Sequence, residues 1–171
     1  MEFLEKDLEE IIYLSDKDKL GDRGLCLNGK LKRQFKIGNY GIADLVEFER
    51  PYYHKYYNKC MKGVINVLEL KKDKIGVSTF FQALNYVKGI KTYLEERDMD
   101  HLFNFTITLI GRTIDTNSSF CYLGDLFSLD VRESEIYDCT KINIQLFEYK
   151  YGIDGLEFEE KYSYNLIDKG F

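Results

Sequence analysis

Residues 42–50 read IADLVEFER, residues 64–72 read VINVLELKK, and residues 80–89 read FFQALNYVKG. In an extended strand, side chains two positions apart share a face, so Glu69 and Lys71 point the same way, beside Ile65 and Val67. Leu68 and Leu70 line the opposite face, and apolar residues on both faces predict a strand at the centre of its sheet. Burying a carboxylate and an ammonium there is expensive unless they hold something. Asp44 poses the same question one strand earlier. It shares a face with Ile42, Val46 and Phe48, where an acid is unusual; the alternative is that it caps or ends the strand.

The third segment predicts a helix from a cap at Ser78 or Thr79 to about residue 96. Phe80, Ala83, Leu84, Val87, Ile90 and Leu94 form its core stripe. Gln82, Tyr86, Gly89 and Tyr93 follow at i, i+4, i+7 and i+11 on a neighbouring stripe, facing away from the main core line.

Working outward, residues 3–15 read as an amphipathic helix through Leu4, Leu8, Ile11 and Ile12, with acids in its first turns. Glu5 and Glu9 border its apolar stripe; each is either directed at a site or simply a solvated acid that the helix dipole favours. Residues 15–30 form a polar loop. The strand LKRQFKI (31–37), the turn 38–41 and the returning strand from residue 42 make a hairpin. Residues 50–63, RPYYHKYYNKCMKG, suit either a substrate-facing segment that combines charge with stacking surface or a short solvated helix with a tyrosine stripe. FNFTITLIG (103–111) alternates as a strand. Residues 120–123 are a weak strand, 141–151 a strong one, and 153–155 turn into LEFEE.

The chain has 171 residues, enough for one domain with its own core. No apolar run approaches a membrane span, and the acidic start MEFLEKDLEE has no targeting character. Cys26, Cys60, Cys121 and Cys139 lack metal-ligand or disulfide-framework spacing, which predicts a reducing, cytoplasmic setting and no zinc. Net charge is −5. Residues 20–94 nevertheless carry 14 Lys/Arg against 6 Asp/Glu, which is +8 and leaves −13 on the rest. Basic residues around Asp44 and Glu69 suit a polyanionic substrate better than the net value does.

The order of elements is a helix with a carboxylate, a strand, a strand with Asp44, a strand with Glu69-Leu70-Lys71, and a helix with Gln82-x-x-x-Tyr86. This order resembles the PD-(D/E)xK nuclease superfamily over residues 3–111, in the branch with a Gln-x-x-x-Tyr helix that includes RecB-type and NucS-type nucleases. Ala43 stands where a proline often precedes the aspartate. Glu148-Tyr149-Lys150 and Glu159-Glu160-Lys161 repeat the triplet spacing but lack the surrounding elements, and are expected to be cross-strand and surface charges. The resemblance implies an α/β (α+β) fold in one domain. Its restriction-endonuclease-like core has a central mixed sheet flanked by helices, followed by a β-rich extension over 112–171.

The resemblance also implies a Mg²⁺- or Mn²⁺-dependent hydrolase of DNA, or of RNA, with no membrane partner; a homodimer is allowed. Asp44, Glu69, the Leu70 carbonyl and Glu5 (or Glu9) would hold the metal, a hard cation that prefers oxygen ligands. Lys71 would orient water or stabilise developing charge. Gln82 and Tyr86 would position the substrate backbone or the lysine. Arg33, Lys36, Lys88 and Lys91 are candidate phosphate contacts. Two other expectations compete: a catalytically silent nuclease-fold module that binds nucleic acid or a partner protein, and an α/β protein in which Glu69 and Lys71 are a structural pair.

Overall fold

The computed structural model describes residues 4–115, 141–153 and 155–167. The elements in chain order are α1 (Glu5–Leu14), α2 (Lys17–Asp22), β1 (Lys30–Lys36), β2 (Ile42–Glu49), β3 (Tyr52–His54), β4 (Lys59–Met61) and β5 (Gly63–Leu70). There follow β6 (Lys74–Ile75), α3 (Val77–Glu95), β7 (Phe103–Gly111), β8 (Thr113–Ile114), β9 (Lys141–Gly152) and β10 (Gly155–Ile167).

Six strands make one mixed sheet in the order β1-β2-β5-β7-β9-β10. The β1–β2, β2–β5 and β9–β10 pairs are antiparallel, and the β5–β7 and β7–β9 pairs parallel. Parallel β5 and β7 need a crossover, and α3 supplies it. The fold is therefore mixed α and β, with a central mixed sheet flanked by helices. Residues 112–171 supply β9 and β10 to this sheet. The weak strand expected at 120–123, together with Cys121 and Cys139, lies outside the described residues.

Each face of the sheet has its own core. On one, Val46, Ile65, Val67, Phe105, Ile107 and Leu109 pack with Phe80, Ala83, Val87 and Ile90 of α3. On the other, Leu45, Leu68, Leu70 and Ile110 pack with Leu8 and Ile12 of α1 and Leu20 of α2. The alternation read from residues 64–70 is thus realised, and β5 is buried on both faces.

Four local expectations change. Residues 15–30 hold a short helix, capped by the Asp16 carboxylate, which accepts the Asp18 and Lys19 N–H groups. Helix α3 begins two or three residues earlier than expected, from Gly76, with no side-chain cap; neither Ser78 nor Thr79 caps it. Tyr86 and Gly89 are buried rather than turned from the core, because the β1–β2 connection packs over them. A Cβ on Gly89 would lie 2.5 Å from the Tyr40 ring. Residues 52–61 form not a short helix but a two-stranded hairpin. It keeps the register of β2–β5: Glu49 faces Val64, and Tyr52 faces Met61. The only proline, Pro51, falls between these pairs and has no N–H for the ladder, so the hairpin separates as its own small sheet.

Candidate active site

Asp44 sits where the sheet is locally open on both sides. The β2–β5 ladder stops at Leu45↔Leu68, one step before Asp44 would face Glu69. The β1–β2 ladder runs to Arg33↔Leu45 and resumes at Phe35↔Ala43, skipping Gln34. Gln34 has φ +48, a left-handed conformation uncommon outside glycine. The freed backbone is met by a side chain: the Leu70 N–H donates to Asp44 Oδ2 at 3.0 Å. Asp44 is thereby tied to the end of β5, beside Glu69.

Glu69 is 1% exposed. Lys71 Nζ donates to its Oε1 at 3.2 Å, while Oε2 is buried with no hydrogen-bond partner. Leaving a buried carboxylate oxygen unpaired is costly, so such an atom calls for an explanation. Burial, reinforced by the Asp44 charge, pushes the Glu69 carboxyl up to about 7, against the pull of Lys71. Burial likewise raises Asp44, opposed by the Leu70 N–H and Lys71. For Lys71, burial favours the neutral amine, but Glu69, Glu5 and Asp44 outweigh it and the ammonium is favoured.

Helix α1 brings two acids to this end of the sheet. Glu5 Oε2 lies 3.8 Å from Lys71 Nζ, and its Oε1 accepts the Lys72 N–H at 3.4 Å. Glu9 is buried and clamped: Arg33 Nε donates to Oε1, and Gln34 Nε2 donates to Oε2 at 2.5 Å. The charges of both acids bear on Asp44. Among the described residues, Glu5, Asp44 and Glu69 do not close into a group of ligand atoms within 4.8 Å of one another; the one such group is Asp98, Asp100 and His101, at the end of α3. The Lys71 ammonium lies between Glu69 and Glu5 and supplies the positive charge that offsets their repulsion.

From the other face, Gln82 Nε2 donates to the Tyr86 hydroxyl at 2.9 Å, and Asp44, Glu69 and Lys71 all act electrostatically on Tyr86. Burial, the largest influence on this phenol, raises it. Gly41 makes the approach possible, since a Cβ there would lie 2.9 Å from the Tyr86 ring and its φ is +118. Gly41, Gln34 and the clamped state of Glu9 were not singled out in the sequence. Gly41 carried a signal, a glycine three residues before the aspartate; Gln34 carried none.

The proposed phosphate contacts divide. Lys36 and Lys88 are exposed, and Lys36 borders an apolar groove of about 600 Å³ against α3. Arg33 is engaged with Glu9 and lies 3.9 Å from Glu10, and Lys91 pairs with Glu95 at 3.4 Å. The repeated triplets are ordinary surface pairs: Lys150 with Glu157 at 3.2 Å, and Lys161 with Glu159 at 2.7 Å and Glu148 at 3.7 Å. Cys26 and Cys60 are free thiols. No described helix is long and apolar enough to cross a membrane. No family model, curated protein or solved structure matches the chain.

The donor set fits a hard divalent cation. Asp44 and Glu69 offer carboxylate oxygens at neighbouring ends of β2 and β5, the Leu70 carbonyl follows Glu69 directly in the chain, and Glu69 Oε2 has no hydrogen-bond partner.

Proposed function

We propose that the chain is a Mg²⁺- or Mn²⁺-dependent nuclease with a restriction-endonuclease-like core, acting on DNA in a reducing cytoplasm. The observation that carries this is the buried, half-unpartnered Glu69 carboxylate, beside both Asp44 and Lys71 at the open end of β2 and β5. A structural ion pair would satisfy both carboxylate oxygens; this one leaves an oxygen free next to a second acid. The free cysteines support the location, and the order of motif-bearing elements supports the core.

Asp44, Glu69, Glu5 and the Leu70 carbonyl would hold the cation. Bound there, it would neutralise phosphate charge and lower the pKa of a water so that hydroxide is available as the nucleophile. Lys71 has its ammonium 3.2 Å from Glu69 and remains protonated. It is set to orient the attacking water or to stabilise negative charge as the phosphorus becomes five-coordinate. The Gln82–Tyr86 pair presents the Gln82 amide from α3 to the substrate backbone. Gln82 is exposed and Tyr86 buried, so the tyrosine orients the glutamine and the glutamine meets substrate.

Labelled single-stranded and duplex DNA incubated with the protein and Mg²⁺ or Mn²⁺ tests this. The expected outcome is metal-dependent cleavage that chelation stops. A folded protein that binds DNA but cleaves no form with either metal would instead be the catalytically silent module.

A further inference from the structure

The β3–β4 hairpin carries an aromatic ladder that no core uses. Ring centroids step from Tyr52 to His54 at 6.2 Å, from His54 to Tyr57 at 4.6 Å, and from Tyr57 to Tyr56 at 5.1 Å. Tyr56 is 86% exposed and Tyr57 66%. None of these rings belongs to either core cluster. Residues 50–62 contain Arg50, Lys55, Lys59 and Lys62 and no acid. Among the described residues, none of these four forms an ion pair. Exposing large rings and uncompensated cations together is unfavourable in isolation, and it is the composition of a stacking platform with a charged rim.

We infer that this hairpin binds unpaired bases of a single-stranded nucleic acid, the rings stacking on bases and the lysines meeting the backbone. This rests on the nuclease reading only for the identity of the substrate. Duplex DNA hides its base faces within the stack, so the ladder fits a single strand and not a double helix. A partner helix or a membrane would want aliphatic anchors, but Cys60 and Met61 are the only small or aliphatic apolar side chains in β3, β4 and their turn. A second copy would bring four like charges against four.

The hairpin also extends the active site in a defined direction. It continues the β2–β5 pair from the end opposite Asp44 and Glu69, its first ring eight residues along from Asp44, or about 27 Å at a strand's rise. A strand engaging both places therefore spans roughly eight or more stacked nucleotides.

The chain has no tryptophan, so Tyr56→Trp places a unique fluorophore on the ladder. With Ca²⁺ in place of the catalytic metal, a twenty-residue oligothymidylate should quench this indole, and its duplex should quench far less at equal concentration. In anisotropy titrations, the double variant Tyr56→Ala, Tyr57→Ala should bind the single strand at least about tenfold more weakly, with an unchanged unfolding transition. Equal quenching by duplex, quenching by anionic vesicles alone, a change of mass in sedimentation on removing the two tyrosines, or no loss of single-strand affinity would each overturn the proposal. The nuclease assignment fails separately. If ladder variants lose single-strand binding but wild type cleaves nothing, the hairpin stands and the catalytic assignment falls. If wild type cleaves and the ladder variants bind and cleave like it, the reverse holds.

Discussion

Glu69 concentrates the tension of the site in one side chain. Its carboxyl is raised from the ordinary 4.5 to about 7 by burial and by Asp44. The unfolded chain therefore loses this proton near pH 4.5, whereas the folded chain keeps it until about pH 7. Below about 4.5 both states are protonated and Glu69 has no effect on stability. Between these values the folded state binds more protons, so stability falls as pH rises, and above 7 the full cost of the buried charge is present. That cost is on the order of 3 kcal/mol at full ionisation, less whatever Lys71 returns on losing its partner. Glu69→Gln should accordingly raise stability by about 1–3 kcal/mol at pH 8 and leave it nearly unchanged at pH 4.5, as read by urea unfolding at both values. Such a gain at the expense of activity is characteristic of functional acids. Equal destabilisation at both pH values would mean Glu69 is a structural partner of Lys71.

Among the elements, α1 carries two acids with different work. Glu9 holds the helix against β1, since both its oxygens are taken by Arg33 and Gln34. Glu5 is half-exposed and reaches Lys71 and the Lys72 backbone. Glu9→Ala should cost about 2 kcal/mol in urea unfolding, as expected for hydrogen bonds to a charged group. Glu5→Ala should cost less than about 0.5 kcal/mol yet weaken Mn²⁺ binding by calorimetry more than Glu9→Ala does. Equal metal affinities in the two variants would remove α1 from the site.

These elements also mark how far the sequence could be read. The β5 strand was legible because alternation alone sorts Ile65 and Val67 from Leu68 and Leu70, and the two faces do enter different cores. The pairing of Gln82 with Tyr86 followed from the helical repeat. The burial of Tyr86 did not, because it depends on the β1–β2 connection folding across α3 and on Gly41 leaving room for the ring. That residues 52–61 pair as a hairpin rather than a short helix was not legible for a related reason. Its register is inherited from β2 and β5 rather than written in its own tyrosines and lysines. The opening around Asp44 was not legible either, since it depends on the backbone of Gln34.

For the whole molecule, charge is segregated: residues 20–94 hold +8 within a chain of −5. Phosphate contacts should therefore show in the salt dependence of binding despite the acidic total. Each contact to duplex DNA contributes a slope of about −0.9 in log affinity against log salt. Lys36 and Lys88 are exposed and, among the described residues, in no ion pair, so Lys36→Ala and Lys88→Ala should each flatten the slope by about one unit in Ca²⁺. Lys91, held by Glu95, should matter less. Slopes unchanged in both exposed-lysine variants would place the polyanion elsewhere on the surface.

The central claim is that Glu69 and Lys71 are catalytic while the same spacing elsewhere is surface charge. Single-turnover cleavage of labelled DNA in Mn²⁺ by Lys71→Ala, Lys150→Ala and Lys161→Ala tests it most directly. Lys71→Ala should lose about a hundredfold or more in rate, the scale of removing one donor to a developing oxyanion. Lys150→Ala and Lys161→Ala should cleave within about twofold of wild type, as exposed pairs contribute little. Undiminished cleavage by a folded Lys71→Ala protein, or a large loss in either of the other two, would contradict the account.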